Sequence, residues 1–167
     1  MAEGESIPRL VLISGATGAG KTTLAKALAH EMGLARIASS DTIREVMRAT
    51  MSSPDPALIR SSYGRGEIGD ASSDWEDAAE AVQPGIEAVV ERARQQGVDL
   101  VLEGVHIIPS RRLLGAWEAA GGAAVGVVVK IEDEATHRER IEVREANTWR
   151  GVESCLLYTS PSPRDRG

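Results

Sequence analysis

The chain has 167 residues, 42% hydrophobic and 26% charged, with 3% aromatic and no phenylalanine. That length suits one domain hiding roughly 70% of its unfolded surface, around a core of Val, Ile, Leu, Ala and Met. A formal charge of −6 speaks against a dedicated nucleic-acid binder, and a single cysteine, Cys155, rules out an intramolecular disulfide. No apolar run reaches the roughly 18 residues of a transmembrane helix. The acidic start Met-Ala-Glu-Gly-Glu does not resemble a signal peptide, so a soluble cytoplasmic protein is expected. The cations are uneven in type: 16 arginines stand against Lys21, Lys26 and Lys130. Arginine suits bidentate binding of phosphate or carboxylate.

Taken in chain order, Arg9 to Ser14 is an apolar run after a proline and before a glycine, which reads as a buried parallel strand. Thr22 to Met32 follows with Leu24 and Leu28 at helical spacing. Ala35 to Ser39 reads as a second strand. Thr42 to Thr50 reads as a helix, with Thr42 and Glu45 forming a capping box. Met51 to Ser73, rich in Ser, Gly, Pro and Asp, reads as a long functional connection containing some helix. Pro84 to Gln96 reads as a helix with Pro84 near its start and Gly97 as its stop. Val98 to Glu103 is a third strand, Ser110 to Ala120 a helix, Ala124 to Ile131 a fourth strand, and Asp133 to Asn147 a very polar helix. Strands alternating with helices predict an α/β fold with a parallel sheet covered on both faces.

Gly15-Ala16-Thr17-Gly18-Ala19-Gly20-Lys21-Thr22 fits the pattern GxxxxGK(S/T) at every fixed position, between an expected strand and an expected helix. Glycines let successive N–H groups turn inward on a phosphate, and the helix adds its positive N-terminal end. Lys21 is placed to reach the β- and γ-phosphates, the Thr22 hydroxyl to ligate Mg²⁺, and Thr23 extends the run. The motif predicts binding of a nucleoside triphosphate with magnesium.

The second strand ends in Ser39-Ser40-Asp41. Strand ends at the carboxyl edge of a parallel sheet face the ligand crevice, so Asp41 is a candidate to orient or deprotonate an attacking hydroxyl. Arg44 and Arg48, four apart on the next helix, suit a second anionic group. A helix cap for Asp41 and a solvated face for the arginines are the plainer alternatives. At the end of the third strand, Glu103 takes the place of a carboxylate that holds magnesium. His106 either contacts substrate or is a polar residue at a strand end. In the last helix, Arg140 and Arg144 share a face with His137, while Arg138 points elsewhere. That helix reads either as a salt-bridged solvated helix or as a lid whose arginines supply transition-state charge.

Three runs together resemble the 2-phosphoglycerate kinase family: Ser14 to Thr23, Ser39 to Arg48, and Glu103-Gly104-Val105-His106-Ile107-Ile108-Pro109. Ser61-Ser62-Tyr63 and Val82 to Val89 are similar to that family too, and the likeness spans residues 9 to 150. The resemblance implies a P-loop kinase αβα sandwich with sheet order 2-3-1-4-5. It implies ATP- and Mg²⁺-dependent phosphorylation of 2-phosphoglycerate to 2,3-bisphosphoglycerate. It also makes Arg44 and Arg48 candidates for the substrate's phosphate or carboxylate, and Asp41 for its free hydroxyl. The expected partner is a small phosphorylated metabolite, with neither nucleic acid nor membrane, and oligomeric state stays open. Two alternatives remain: a nucleotide-binding regulatory module without catalysis, and a P-loop kinase acting on a nucleotide, a sugar or a nucleic-acid end.

Two departures from the family pattern stand out. Eight residues before the first strand leave no room for the N-terminal module that archaeal members can carry. Cys155 to Gly167 lacks periodicity where a fifth strand is due, and looks like translated sequencing-adapter read-through. The expected organisation is a kinase domain over residues 1–154, incomplete at its C-terminus, with a non-native or disordered tail over 155–167.

Overall fold

The computed structural model describes residues 7–59 and 71–146. Its elements run β1 (Arg9–Gly15), α1 (Lys21–Met32), β2 (Ile37–Ser39), α2 (Ser40–Thr50), α3 (Pro56–Ile59), α4 (Ala71–Gln95), β3 (Leu100–Glu103), α5 (Arg111–Ala119), β4 (Ala123–Val129) and α6 (Glu134–Ala146). The four strands form one parallel sheet in the order β2-β3-β1-β4. All four expected strands are present, in the first four places of the expected order. The expected fifth strand and tail, and Ser61-Ser62-Tyr63, lie outside the described residues.

Alternation along β1 explains the layers. Leu10 and Leu12 face Leu58, Val82, Ile86, Val90 and Trp117 from α3, α4 and α5. Val11 and Ile13, one residue out of phase, face Ala25 and Ala29 of α1 with Leu34. A central parallel strand buries both its faces, which is why β1 reads as an unbroken apolar run. The result is the three-layer αβα architecture expected from the sequence. No helix among the described residues is long and apolar enough to cross a membrane.

Two local expectations are corrected. Helix α4 does not begin near Pro84; it runs from Ala71 to Gln95 with Pro84 inside it. Ala78, Ala79, Val82, Ile86, Val90 and Ala93 form one continuous buried stripe through that point, while Pro84 itself is exposed. Burying the stripe outweighs the ~3 kcal/mol that an interior proline costs a helix. The neighbouring Gly85 has its own reason: a Cβ there would lie 2.6 Å from Met47 Sδ, so glycine lets α2 cross α4 closely.

The second correction concerns the start of α2. Thr42 and Glu45 do not cap it, because the helix already begins at Ser40, with Ser39 Oγ accepting from the Asp41 N–H at 3.3 Å. With β2 only three residues long and joined directly to α2, Asp41 falls in the first turn of that helix. The expected connection over Met51 to Ser73 contains α3 and the start of α4.

Candidate active site

The phosphate loop, Asp41, Glu103 and His106 lie at the carboxyl ends of β1, β2 and β3. The phosphate loop leaves β1 at Gly15 and enters α1 at Lys21. Gly15, Gly18 and Gly20 have φ of 143°, 77° and 92°, values that a side chain would strain, and these turns curl the loop. Gly20 is the N-cap of α1 and supplies no side-chain cap, which leaves first-turn N–H groups for a ligand. Thr23 sits exposed in that same turn. Lys21 is buried, and its ammonium donates to the Ala16 carbonyl at 2.8 Å, so its stem folds back over Ala16 and the loop. Ala19 N–H donates to that same carbonyl at 3.2 Å and closes the turn.

Register places the next group. Ile13 of β1 pairs with Glu103 of β3, so the last residue of β3 stands beside the mouth of the loop. The buried Glu103 carboxylate accepts from Thr22 Oγ1 at 3.1 Å. A hydroxyl and a carboxylate at this spacing are hard oxygen donors of the kind Mg²⁺ takes. No group of three or more His, Cys, Asp or Glu side chains that could hold a metal occurs among the described residues. The pair therefore fits an ion that keeps most of its shell from phosphate oxygens and water, as magnesium does.

On the other side of β3, β2 delivers Ser40 and Asp41. The Asp41 carboxylate is 60% exposed, with Oδ1 3.5 Å from His106 Nδ1. That imidazole is only 1% exposed, and Ser40 Oγ also lies 3.4 Å from its Nδ1. Burial pushes the His106 pKa down to about 4; the charges of Arg44 and Lys21 push the same way, against the pull of Asp41. His106 is thus neutral at pH 7 and sits in the combined field of Lys21, Asp41 and Arg44.

The two arginines of α2 differ in burial. Arg44 is buried, with Nη1 3.8 Å from Glu45 Oε1. Arg48 is half exposed, and its Nε and Nη2 donate to Glu45 Oε2 at 3.0 and 2.7 Å. Both arginines thus reach the Glu45 carboxylate, Arg48 at closer range than Arg44.

Helix α6 comes down on the phosphate loop from the β4 side. His137 Nε2 lies 2.6 Å from the Thr17 carbonyl, and Ile141, one turn on, is fully buried. Arg140 is exposed on this helix, and Arg144 belongs to its last turn. The sequence reading of a helix with little apolar face overlooked that one isoleucine suffices when it meets a glycine-rich loop. Trp75 and Asp74 were also overlooked. Trp75 Nε1 donates to the Val105 carbonyl at 2.6 Å, and Asp74 is buried beside it in the first turns of α4. The Ser, Gly and Asp around them hid the helix that carries them.

A family model described as an AAA domain matches residues 10–155. The chain belongs to the AAA domain family. This AAA domain is 33% identical over 155 residues to a 2-phosphoglycerate kinase of Methanothermobacter thermautotrophicus, covering 85% of this chain and 49% of that protein. It is 34% identical over 161 residues to a 2-phosphoglycerate kinase of Methanopyrus kandleri, covering 90% and 49%. The chain thus spans about half the length of the curated relatives it matches. Among solved structures, it resembles a candidate kinase from Chloroflexus aurantiacus with a TM-score of 0.56 at 20% identity, over 93% of this chain and 78% of that one. A structure of the Pnkp1/Rnl/Hen1 RNA repair complex gives a TM-score of 0.53 at 16% identity, over 93% and 43%. At these identities the likeness establishes the fold alone, a parallel sheet between layers of helices.

Proposed function

We propose that this AAA domain transfers the γ-phosphoryl group of ATP to the free hydroxyl of 2-phosphoglycerate, giving 2,3-bisphosphoglycerate and ADP. The observation that carries the reading is the Thr22–Glu103 contact at 3.1 Å beside the buried Lys21, with the Asp41 carboxylate across β3. The names of the relatives support the choice of acceptor.

Lys21 exchanges the Ala16 carbonyl for phosphate oxygens and draws the transferring group to the loop. Thr22 and Glu103 would hold magnesium, which on binding supplies positive charge against the phosphate oxygens. Asp41 accepts the proton of the acceptor hydroxyl as that oxygen bonds to the γ-phosphorus. The bond from the γ-phosphorus to the β–γ bridging oxygen breaks, and its electron pair leaves with ADP. Arg44 contributes positive charge for the phosphate or carboxylate of the acceptor. Arg140 and Arg144 are the candidates for transition-state charge delivered by α6. Neutral His106, against Ser40 and Asp41, lines the acceptor side as a further polar contact.

A coupled ADP-release assay with ATP, Mg²⁺ and a panel of phosphorylated hydroxy acids tests this reading. Turnover stimulated by 2-phosphoglycerate and abolished in Lys21→Ala is the expected result. Turnover indifferent to every acceptor would instead identify a nucleotide-binding module, and stimulation by nucleotides, sugars or nucleic-acid ends another acceptor class.

A further inference from the structure

The contact between α6 and the crest of the phosphate loop has a consequence for nucleotide binding. Gly18 sits at that crest with φ of 77°, and a Cβ there would stand 3.0 Å from Ile141 Cγ1 and 3.7 Å from His137 Nε2. The preceding carbonyl, of Thr17, lies 2.6 Å from His137 Nε2, which donates to it as the Nε2–H tautomer. Two side chains one turn apart on α6 therefore grip a single peptide unit, one through the fully buried Ile141 and one through a short hydrogen bond.

The C=O and N–H of a trans peptide point in opposite directions, and no cis peptide occurs among the described residues. Tying the Thr17 carbonyl to α6 therefore turns the Gly18 N–H away from α6. We propose that His137 is a positioning residue: it locks the Thr17–Gly18 peptide so that the Gly18 N–H faces the bound nucleotide's phosphates. It also fixes α6, and with it the backbone of Arg140 and Arg144, against the loop. Without the lock, a peptide between two residues of a glycine-rich loop is free to turn its carbonyl toward the anion, a repulsive arrangement.

Because this role presumes the nucleotide site proposed above, the test measures binding without any acceptor. ADP and AMP affinities of the whole chain are measured by calorimetry for the natural sequence and for His137→Ala, His137→Gln and His137→Asn. Glutamine carries an amide N–H near the place of imidazole Nε2, whereas asparagine is too short to reach it. The expected result is a loss of about tenfold in ADP affinity for His137→Ala and His137→Asn, the worth of one hydrogen bond to a partly buried carbonyl. His137→Gln should return to within about threefold of the natural protein, and AMP, with one phosphate, should lose less than ADP. Equal ADP affinity in natural protein and His137→Ala would overturn the role, as would equal losses for Gln and Asn. If His137→Ala does not fold, the Gln and Asn pair alone decides. A natural chain that binds no ADP removes the nucleotide site and this role together, whereas ADP binding without turnover leaves the role standing and removes only the kinase reading.

Discussion

The two ends of the parallel sheet use charge in opposite ways. At the amino edge, Arg9 and Asp99 satisfy one another almost completely. The Arg9 backbone N–H and Nε donate to Asp99 Oδ1 at 2.7 and 3.2 Å, and Nη2 donates to Oδ2 at 2.6 Å. The remaining Nη1 donates to the Met32 carbonyl at 3.0 Å, and beside it Trp117 Nε1 donates to the Pro8 carbonyl at 3.0 Å. At the carboxyl edge the ion-pair contacts are longer, with Arg44 3.8 Å from Glu45 and Asp41 3.5 Å from His106. Asp41 is mostly exposed, and Lys21 donates to a backbone carbonyl that a phosphate can displace. Charge that is neutralised within the fold contributes stability. Charge held near, but not against, its neighbours is ready for a ligand.

Substitutions at the two edges should therefore separate activity from stability. The largest effects belong to the carboxyl edge. Lys21→Ala and Asp41→Asn should each lower kcat by about 100-fold or more, as removal of a key electrostatic or proton-accepting group does. Asp41→Asn should leave ATP affinity within about threefold, because only proton transfer is lost. Comparable losses of ATP binding in a direct titration would give Asp41 a structural or metal-holding role instead.

Next in size is a pH effect carried by His106. Its folded pKa of about 4 lies below the ordinary 6.5, so the unfolded chain takes up the proton first. Stability is full above pH 6.5 and is lost as pH falls toward 4. Between pH 7 and pH 5 the loss is on the order of 2 kcal/mol by linkage. Urea melts of His106→Asn should be nearly flat over that range, and an unchanged slope would mean that other groups carry it.

Smaller again is the amino-edge clamp. Arg9→Ala should lower the midpoint of urea melts at pH 7, with kcat per folded molecule unchanged. The Arg9 hydrogen bonds hold the Asp99 carboxyl below its ordinary 3.8. That stabilisation is present above the ordinary value and is lost as pH falls through the lower folded one. The penalty of Arg9→Ala should therefore shrink in strong acid. The smallest effect is expected at Arg48, whose pair with Glu45 is a surface contact one turn apart. Arg48→Ala should change stability by less than about 0.5 kcal/mol. It should change the acceptor KM less than about threefold, whereas Arg44→Ala should raise it about tenfold or more. Equal losses at both positions would support the two-arginine anion site read from the sequence.

Much of this was legible beforehand because it is written in local pattern. The apolar runs marked all four strands, and the spacing Gly15 to Thr22 marked the loop and the start of α1. The terminal carboxylates of two runs, Asp41 and Glu103, were marked by position at strand ends. Less legible were features whose cause lies elsewhere in the chain. The first half of α4 was hidden because its Ser and Asp suggested a loop, while the stripe that makes it helical is apolar only toward the sheet. Arg44 and Arg48 look equivalent along a helix and differ because Arg44 is buried while Arg48 lies at the surface, paired more closely with Glu45.

By itself, then, the sequence determined the α/β class, the parallel sheet and the phosphate loop, since hydrophobic period and glycine spacing act over a few residues. The tertiary structure alone decided which charges meet. Thr22 and Glu103 are 81 positions apart and touch because β1 and β3 pair in one register. Thr17 and His137, 120 apart, touch because α6 seats Ile141 on the loop's crest. Strand register and the close approach of backbone to a glycine are properties of the assembled chain, and no window of sequence contains both partners.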